Sequence, residues 1–342
     1  MARHDIGRHD IGQHDIGLED VFRARARLAG RIAATPTVPS PDLTARCGAP
    51  VFLKLETRQT TGSFKLRGAT NALLSLPRDA LTTGVAAAST GNHGRALAHA
   101  AAQAGVRCVV CMSALVPSNK VEGIRALGAE IRIVGRSQDD AQEEVDRLVR
   151  EEGFATVPPF DDAGVIAGQG TLGLEIVEAV PDVDLVLVPL SGGGLIGGVA
   201  LAVKALRPQA RVVGISMERG AAMHASLTAG KPVLVEELET LADSLGGGIG
   251  LANRHTFRLA ADLLDEVVLL TEDEIAAGIE HAYAREQEIV EGAGAVGIAA
   301  LLAGKVAVRG PTIALLSGRN IDMDLHRRII TGGASGVTAC PA

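Results

Sequence analysis

Short apolar runs alternate with helix-like patterns along almost the whole chain. Several runs are unbroken, which is typical of parallel strands that are covered on both faces. Strands are predicted at 51–55, 84–88, 107–112, 130–134, 184–190, 211–217, 266–270 and 312–316. Helices are predicted between them, among others at 118–127, 138–151, 170–179, 195–206 and 272–286. This alternation predicts an α/β fold of the open, doubly wound kind.

The composition suits closely packed α/β layers. Apolar residues make up 47% of the 342 residues, but with six phenylalanines, one tyrosine and no tryptophan the core must consist of Ala, Val, Leu and Ile. The net charge of −7 argues against a nucleic-acid partner, which requires a basic face. No apolar run is long enough for a transmembrane helix, so no membrane partner is predicted.

The sequence His-Asp-Ile-Gly occurs three times near the N-terminus, at 4–7, 9–12 and 14–17. This period is too short for a repeat architecture, and the segment lacks the apolar region of a signal peptide. Residues 1–17 are therefore predicted to be a disordered extension. Without a secretion signal, we expect the protein to be cytoplasmic.

Cys108 and Cys111 form a Cys-x-x-Cys pair, which is found in zinc and redox sites. The pair lies inside a predicted strand, and no second pair follows. This setting favours buried structural thiols.

Lys65 has a setting that indicates a chemical role. It opens a predicted helix, follows Gly62 and Ser63, and is flanked by Phe64 and Leu66. Apolar neighbours desolvate an amine and lower its pKa, so that it can act as nucleophile and base. The main use of such a lysine is a Schiff base, including one with pyridoxal phosphate. A solvent-exposed lysine at a helix start is the alternative.

Two glycine-bearing turns each follow a predicted strand and precede a predicted helix. They are residues 89–94, Ser-Thr-Gly-Asn-His-Gly, and residues 191–198, Ser-Gly-Gly-Gly-Leu-Ile-Gly-Gly. Backbone N–H groups and a helix N-terminus converge on an anion in such turns. Neither turn has the common nucleotide-binding patterns. The predicted ligand is therefore a phosphate that does not belong to a nucleotide.

Lys65 and these two turns, in this order and spacing, resemble the fold-type II pyridoxal-phosphate enzymes of the threonine/serine dehydratase and serine racemase family. Within it, the chain is most similar to the hydroxyectoine-utilisation dehydratases. The resemblance runs from about Leu18 to Ile330 and is carried by residues 60–71, 88–98, 221–226, 244–250 and 317–328. It implies a homodimer of subunits with a tryptophan-synthase-β-like fold. Each subunit would have two open, doubly wound parallel-sheet domains: a large pyridoxal-phosphate-binding domain of 18–72 plus 163–342, and a small domain of 73–162.

The resemblance also implies roles for individual residues. Lys65 would hold the cofactor, pyridoxal 5′-phosphate, and later remove the Cα proton of a small amino-acid substrate. Phe64 would pack beside the cofactor ring, Asn92 would bind its 3′-oxygen, and the catalytic Ser317 would place a neutral hydroxyl on the pyridine nitrogen, which favours β-elimination over transamination. The cofactor phosphate would bind Ser191, Gly192, Gly193, Gly194 and Leu195. The substrate carboxylate would bind the turn of Ser89, Thr90, Gly91, Asn92 and His93.

The sequence departs from the family pattern near these motifs. Arg95 replaces the usual Gln, and Arg319 replaces the usual Gly. These cations could recognise an acyl or second polar group of a larger substrate; outward salt bridges are the alternative. Thr90 replaces the serine that acts as second base in the racemases, and its added methyl group restricts the rotamer, so racemisation is not expected.

No metal site is predicted, because the resemblance matches a cation site of some family members to Glu218, Ala222 and His224, and histidine is a poor ligand for magnesium or calcium. The expected activity is that of a pyridoxal-phosphate-dependent ammonia-lyase, which dehydrates and deaminates a 3-hydroxy-2-amino acid to a 2-oxo acid and ammonia. The subgroup suggests hydroxyectoine catabolism, with an acetylated diamino-hydroxybutyrate as substrate. A general L-threonine/L-serine dehydratase is the alternative within this class, and a non-catalytic pyridoxal-phosphate or amino-acid binding protein is the alternative outside it.

Overall fold

The computed structural model describes residues 14–332, apart from 90 and 117, and contains two sheets. The strands are β1 (Thr37–Pro39), β2 (Val51–Leu55), β3 (Val85–Ala88), β4 (Cys108–Met112), β5 (Glu130–Ile133), β6 (Ala155–Thr156), β7 (Leu185–Pro189), β8 (Arg211–Met217), β9 (Glu266–Leu270) and β10 (Thr312–Leu316). The helices are α1 (Leu18–Leu28), α2 (Pro41–Cys47), α3 (Lys65–Ser75), α4 (Asn92–Ala104), α5 (Ser118–Arg125), α6 (Gln138–Arg147), α7 (Ala163–Ala179), α8 (Gly194–Leu206), α9 (Ala222–Ala229), α10 (Thr256–Leu263), α11 (Glu272–Ala284), α12 (Gly292–Leu302) and α13 (Met323–Ile330).

The two sheets have the strand orders β1-β2-β10-β7-β8-β9 and β5-β4-β3-β6. All pairings between these strands are parallel except that of β1 with β2. The predicted fold of two parallel-sheet α/β domains is confirmed, with an antiparallel edge strand that the sequence pattern did not predict. The second sheet lies wholly inside 73–162, the predicted small domain, and the exact bounds of both domains stay predictions.

Helix α7 begins at Ala163, well before the predicted start at residue 170. The Asp162 carboxylate caps it by accepting a 2.9 Å hydrogen bond from the Val165 N–H. Gly168 allows α7 to approach α3 closely, because a Cβ there would lie 2.7 Å from the carbonyl oxygen of Arg67. Close packing between these helices therefore overrides the low helix propensity of the glycines.

Buried Val, Leu, Ile and Ala side chains cover both faces of the six-stranded sheet. The four-stranded sheet has separate, smaller clusters. Cys108 and Cys111 are buried on β4, and burial raises their thiol pKa to about 12 and about 11, as expected for structural thiols. Because both faces of the sheets are covered, the edges at the carboxyl ends of the strands are left for a ligand site.

The predicted disordered extension at 1–17 lies mostly outside the described residues, which begin at His14. Its last residues belong to the fold: Ile16 is 3% exposed in the large core, and the Nε2 of His14 lies 3.5 Å from the Asp262 carboxylate. The extension therefore stays a prediction for residues 1–13 only. Between His14 and Gly332, no described helix has the length and apolar character needed to cross a membrane.

Candidate active site

The predicted site residues meet in a cavity of about 210 Å³ at the carboxyl ends of β3, β7 and β10. The predicted residues that line it are Phe64, Lys65, Ser89, Gly91, Asn92, His93, Ser191, Gly192, Gly193, Gly194, Leu195 and Ser317. Thr90 lies outside the described residues. The lining residues that no sequence motif assigned to the site are Pro159, Phe160, Pro189, Ser244, Leu245, Glu291 and Ala293.

Lys65 begins α3 and lines this cavity with a half-buried side chain. Its Nζ donates a 2.7 Å hydrogen bond to the carbonyl oxygen of Pro159 and lies 5.3 Å from the centre of the Phe64 ring. Burial lowers the pKa of the amine to about 8, and the negative charge of Glu291 partly opposes that shift. Near neutral pH, an appreciable fraction of Lys65 is therefore an unprotonated nucleophile.

A buried ionic cluster holds the first turns of α3 in place. The Arg67 side chain is fully buried and donates hydrogen bonds of 2.6–2.9 Å to the carboxylates of Glu56 and Glu175. The Nζ of Lys54, which is 1% exposed, donates a 2.5 Å hydrogen bond to Glu175. Two cations and two carboxylates balance one another, and the cluster ties the helix that carries Lys65 to α7 and β2.

Backbone pairing brings Ser317 next to Lys65. The N–H of Phe64 donates to the carbonyl oxygen of Ser317 at 3.0 Å, and the N–H of Arg319 donates to Gly62 at 2.9 Å. The Ser317 side chain is 2% exposed, and its Oγ lies 3.4 Å from the Ala293 carbonyl oxygen. Because that hydrogen bond is long, the hydroxyl can form a shorter one with a group in the cavity.

The loop of Gly192, Gly193 and Gly194 is packed so closely that larger residues do not fit. A Cβ at Gly192 would lie 2.5 Å from the Phe160 ring, and one at Gly194 would lie 2.7 Å from the Phe160 carbonyl oxygen. Gly193 has a φ of 89°, which strains other residues. The loop leads into α8, whose first N–H groups have no partner within the helix and attract an anion.

Asn92 and His93 begin α4 at the edge of the cavity. Asn92 is 7% exposed; its Nδ2 donates to Glu291 at 2.7 Å, and its Oδ1 accepts from Asn320 at 2.6 Å. Burial, together with the charge of Lys65, lowers the pKa of His93 to about 3. His93 is therefore neutral at physiological pH, and its Nε2–H donates to the Val157 carbonyl oxygen at 2.7 Å.

Glu291 is the charged residue of the cavity that the sequence analysis missed. It is 4% exposed and stands at the N-cap of α12. Because glutamate is almost always solvent-exposed, a single sequence gives little sign that one is buried. The glycines and alanines that follow it indicate close packing, but they do not indicate a buried charge.

Arg95 and Arg319 line a second cavity, of about 520 Å³, which also contains Arg58 and Asn320. The side chains of Arg95 and Arg319 form no hydrogen bond or ion pair with the residues that the structure describes. The outward salt bridges that were the alternative are therefore not observed. The two cavities are adjacent, because Asn320 of the second cavity is hydrogen-bonded to Asn92 of the first.

One of the positions matched to a cation site, Glu218, lies beside a lysine. The Glu218 carboxylate lies 4.0 Å from the Nζ of Lys305, and the described residues contain no cluster of three metal-ligating side chains.

Residues 28–318 match the sequence model of a family described as pyridoxal-phosphate dependent enzymes. The chain belongs to this family. The cavity fits the cofactor of the family, since it combines a lysine of lowered pKa, a cradle of glycines where a Cβ would clash, and a buried serine hydroxyl. Lys65, Ser317 and the loop at Gly192 would hold the pyridoxal phosphate.

Several relatives within this family are closely similar to the chain. It is 63% identical over 311 residues to a putative threonine dehydratase of Sinorhizobium fredii, covering 91% of this chain and 94% of that one. It is 40% identical over 307 residues to the catabolic L-threonine dehydratase of Escherichia coli, covering 89% and 93%. Among solved structures, maize serine racemase superposes with a TM-score of 0.87 at 31% identity, covering 93% and 98% of the two chains.

Proposed function

We propose that the protein catalyses the pyridoxal-phosphate-dependent β-elimination of a 3-hydroxy-2-amino acid, giving a 2-oxo acid and ammonia. The observation that carries this proposal is the lining of a single cavity. It combines Lys65, whose amine has a pKa of about 8, with the glycine loop and with the neutral hydroxyl of Ser317. Relatives that are named threonine dehydratases and ammonia-lyases support the same reaction class.

When bound, pyridoxal phosphate supplies an aldehyde for the substrate amine and an electron sink for negative charge at Cα. The unprotonated Nζ of Lys65 removes the Cα proton. The N-terminus of α4, at Asn92 and His93, attracts the substrate carboxylate and fixes its orientation. Ser317 offers a hydrogen bond without a charge. The β-hydroxyl and the proton lost from Cα leave together as water and give an enamine. The enamine tautomerises to an imine, which a second water molecule hydrolyses to the 2-oxo acid and ammonia.

We propose further that the preferred substrate is an acetylated diamino-hydroxybutyrate from opened hydroxyectoine. The support is the subgroup resemblance together with Arg95 and Arg319, two cations that lack acidic partners among the described residues and line the neighbouring cavity. The names of the relatives favour the second candidate, a general L-threonine/L-serine dehydratase.

Release of 2-oxo acid by the purified holoenzyme tests both the proposed reaction and the proposed substrate. We expect a kcat/KM for the acetylated substrate at least about tenfold above that for threonine or serine. A higher kcat/KM on threonine would reject the specialised substrate and keep the lyase. No 2-oxo acid from any of the three, although the cofactor is bound, would reject the β-elimination.

The assembly and compartment are further proposals. A homodimer follows from the resemblance, and the free thiols of Cys47, Cys108 and Cys111 suit the reducing cytoplasm. Sedimentation equilibrium of the active holoenzyme would test the homodimer. The mass of a single chain would contradict it.

A further inference from the structure

The Glu291 carboxylate binds residues outside α12, the helix at whose N-terminus it lies. Glu291 is the N-cap residue of α12, yet its side chain makes no capping hydrogen bond with that helix. It accepts instead from the Nδ2 of Asn92 at 2.7 Å and from the backbone N–H of Asn320 at 3.1 Å. Gly318 makes room for it, because a Cβ there would lie 2.6 Å from Oε1.

These contacts determine how the Asn92 amide is oriented. A carboxylate only accepts hydrogen bonds, so the group that faces Glu291 must be the NH2 of Asn92. The Asn320 NH2 is fixed in the same way, since it donates to the carbonyl oxygen of Thr61 at 2.9 Å. The Oδ1 of Asn92 then accepts the other N–H of Asn320, at 2.6 Å. A flipped Asn92 amide would place its oxygen against the carboxylate and its NH2 against another NH2.

The side-chain NH2 of Asn92 has two N–H bonds, and only one of them points at Glu291. The other has no acceptor among the residues that the structure describes, and Asn92 lines the same cavity as Lys65 and Ser317. An ionised acceptor binds a donor more strongly than a neutral one, so Glu291 holds the amide firmly in this orientation.

We propose that Glu291 is a positioning residue that acts through Asn92: it fixes the amide so that the remaining N–H is available to an oxygen of the bound pyridoxal phosphate. The inference rests on the cofactor site described above. Helix capping does not explain the placement of Glu291, because its carboxylate forms no capping bond. A buried carboxylate also requires hydrogen-bond partners, and here Asn92 and Asn320 supply them.

Glu291→Gln tests the proposal while keeping the size of the side chain. A glutamine can accept from Asn92 or from the Asn320 N–H, but its NH2 then faces the other donor. The readout is the dissociation constant of pyridoxal phosphate, from fluorescence titration of protein freed of its cofactor. We expect the constant to rise about tenfold, because an Asn92 amide that is no longer fixed gives up its hydrogen bond to the bound cofactor.

The Asn92→Ala background separates positioning from a general loss of stability. If Glu291 acts through Asn92, adding Glu291→Gln to Asn92→Ala changes the dissociation constant less than twofold, whereas independent effects multiply. Glu286→Gln is the matched control: its carboxylate is also withdrawn from solvent and accepts from the hydroxyl of Ser40 at 2.6 Å, but it does not line the cavity. This control should bind the cofactor as the wild type does.

Three results would overturn the proposal. Glu291→Gln could bind the cofactor as tightly as the wild type, lose affinity no more than Glu286→Gln does, or show a full additional loss in the Asn92→Ala background. A wild type that binds no pyridoxal phosphate would instead overturn the cofactor site and the proposed function together.

Discussion

The Nζ of Lys65 donates a 2.7 Å hydrogen bond to the carbonyl oxygen of Pro159, which is 94 residues later in the chain. Pro159 lies between β6 and α7, where the chain passes from the four-stranded sheet to the rest of the fold. A carbonyl group carries no full charge, so it offsets only part of the cost of burying an ammonium group. The lysine is thus held inside the cavity with its pKa lowered to about 8 by burial.

The pH dependence of cofactor attachment should report this pKa. Only the unprotonated amine of Lys65 is nucleophilic, and its pKa in the fold is about 8 rather than 10.5. The rate at which pyridoxal phosphate attaches to the cofactor-free protein should therefore rise about tenfold per pH unit below pH 8 and level off above it. Stopped-flow absorbance measures this rate, and a rise that continues to pH 10 would contradict the shift.

Gly193→Ala should weaken cofactor binding beyond its effect on stability. The φ of 89° costs an alanine about 1–2 kcal/mol. The new Cβ would also lie 2.8 Å from the Cε of Met223 and 2.9 Å from the Cβ of Thr256, so that the loop must move. Gly230→Ala is the matched control, since Gly230 has a φ of 69° and no atom within 4 Å of the new Cβ.

Equilibrium dialysis with pyridoxal phosphate distinguishes the two variants. Gly230→Ala should bind pyridoxal phosphate with the dissociation constant of the wild type. For Gly193→Ala, the dissociation constant should rise about tenfold or more. Equal affinities would mean that the glycine loop does not hold the phosphate.

Arg67→Ala should be severely destabilising. It leaves Glu56, which is fully buried, without its main cation, and such a loss costs about 3–5 kcal/mol. Arg23→Ala removes an exposed pair with Asp20 on α1 and should cost less than about 1 kcal/mol. Urea denaturation gives both values, and similar losses would show that the ionic cluster at Arg67 is unimportant for the fold.

Arg95→Gln combined with Arg319→Gly restores the residues that are usual in the family. If these arginines recognise the acyl arm of the larger substrate, kcat/KM for the acetylated diamino-hydroxybutyrate should fall by about 10–100-fold. The value for threonine should change less than about threefold, because that substrate has no such arm. Equal losses on both substrates would rule out a role in specificity.

Much of the fold could be predicted from local patterns. The unbroken apolar runs identified all eight of the predicted strands to within one residue at either end, because parallel strands buried on both faces leave a strong hydrophobic signal. Strands β1 and β6 were missed because they have only three and two residues, which is too short for a recognisable apolar run. The early start of α7 was missed because its glycines are explained only by contact with α3.

Those parts of the candidate site that belong to a short sequence motif could be predicted. Lys65, the turn at Asn92 and the loop at Gly192 each belong to such a motif, and the structure brings them into one cavity. Glu291 was not found, because its burial and its bond to Asn92 arise from the packing of α12 against the loop after β10. Tertiary contacts of this kind have no signature in a single sequence.

The most direct test of the central claim is a peptide map of the holoenzyme after borohydride reduction. If pyridoxal phosphate is bound covalently to Lys65, trypsin cannot cut after that lysine, and peptide 59–67 should carry the mass of the reduced cofactor. Lys65→Ala should lose this label. Labelling of another lysine, such as Lys54, or no label at all would contradict the assignment of Lys65 and the mechanism built on it.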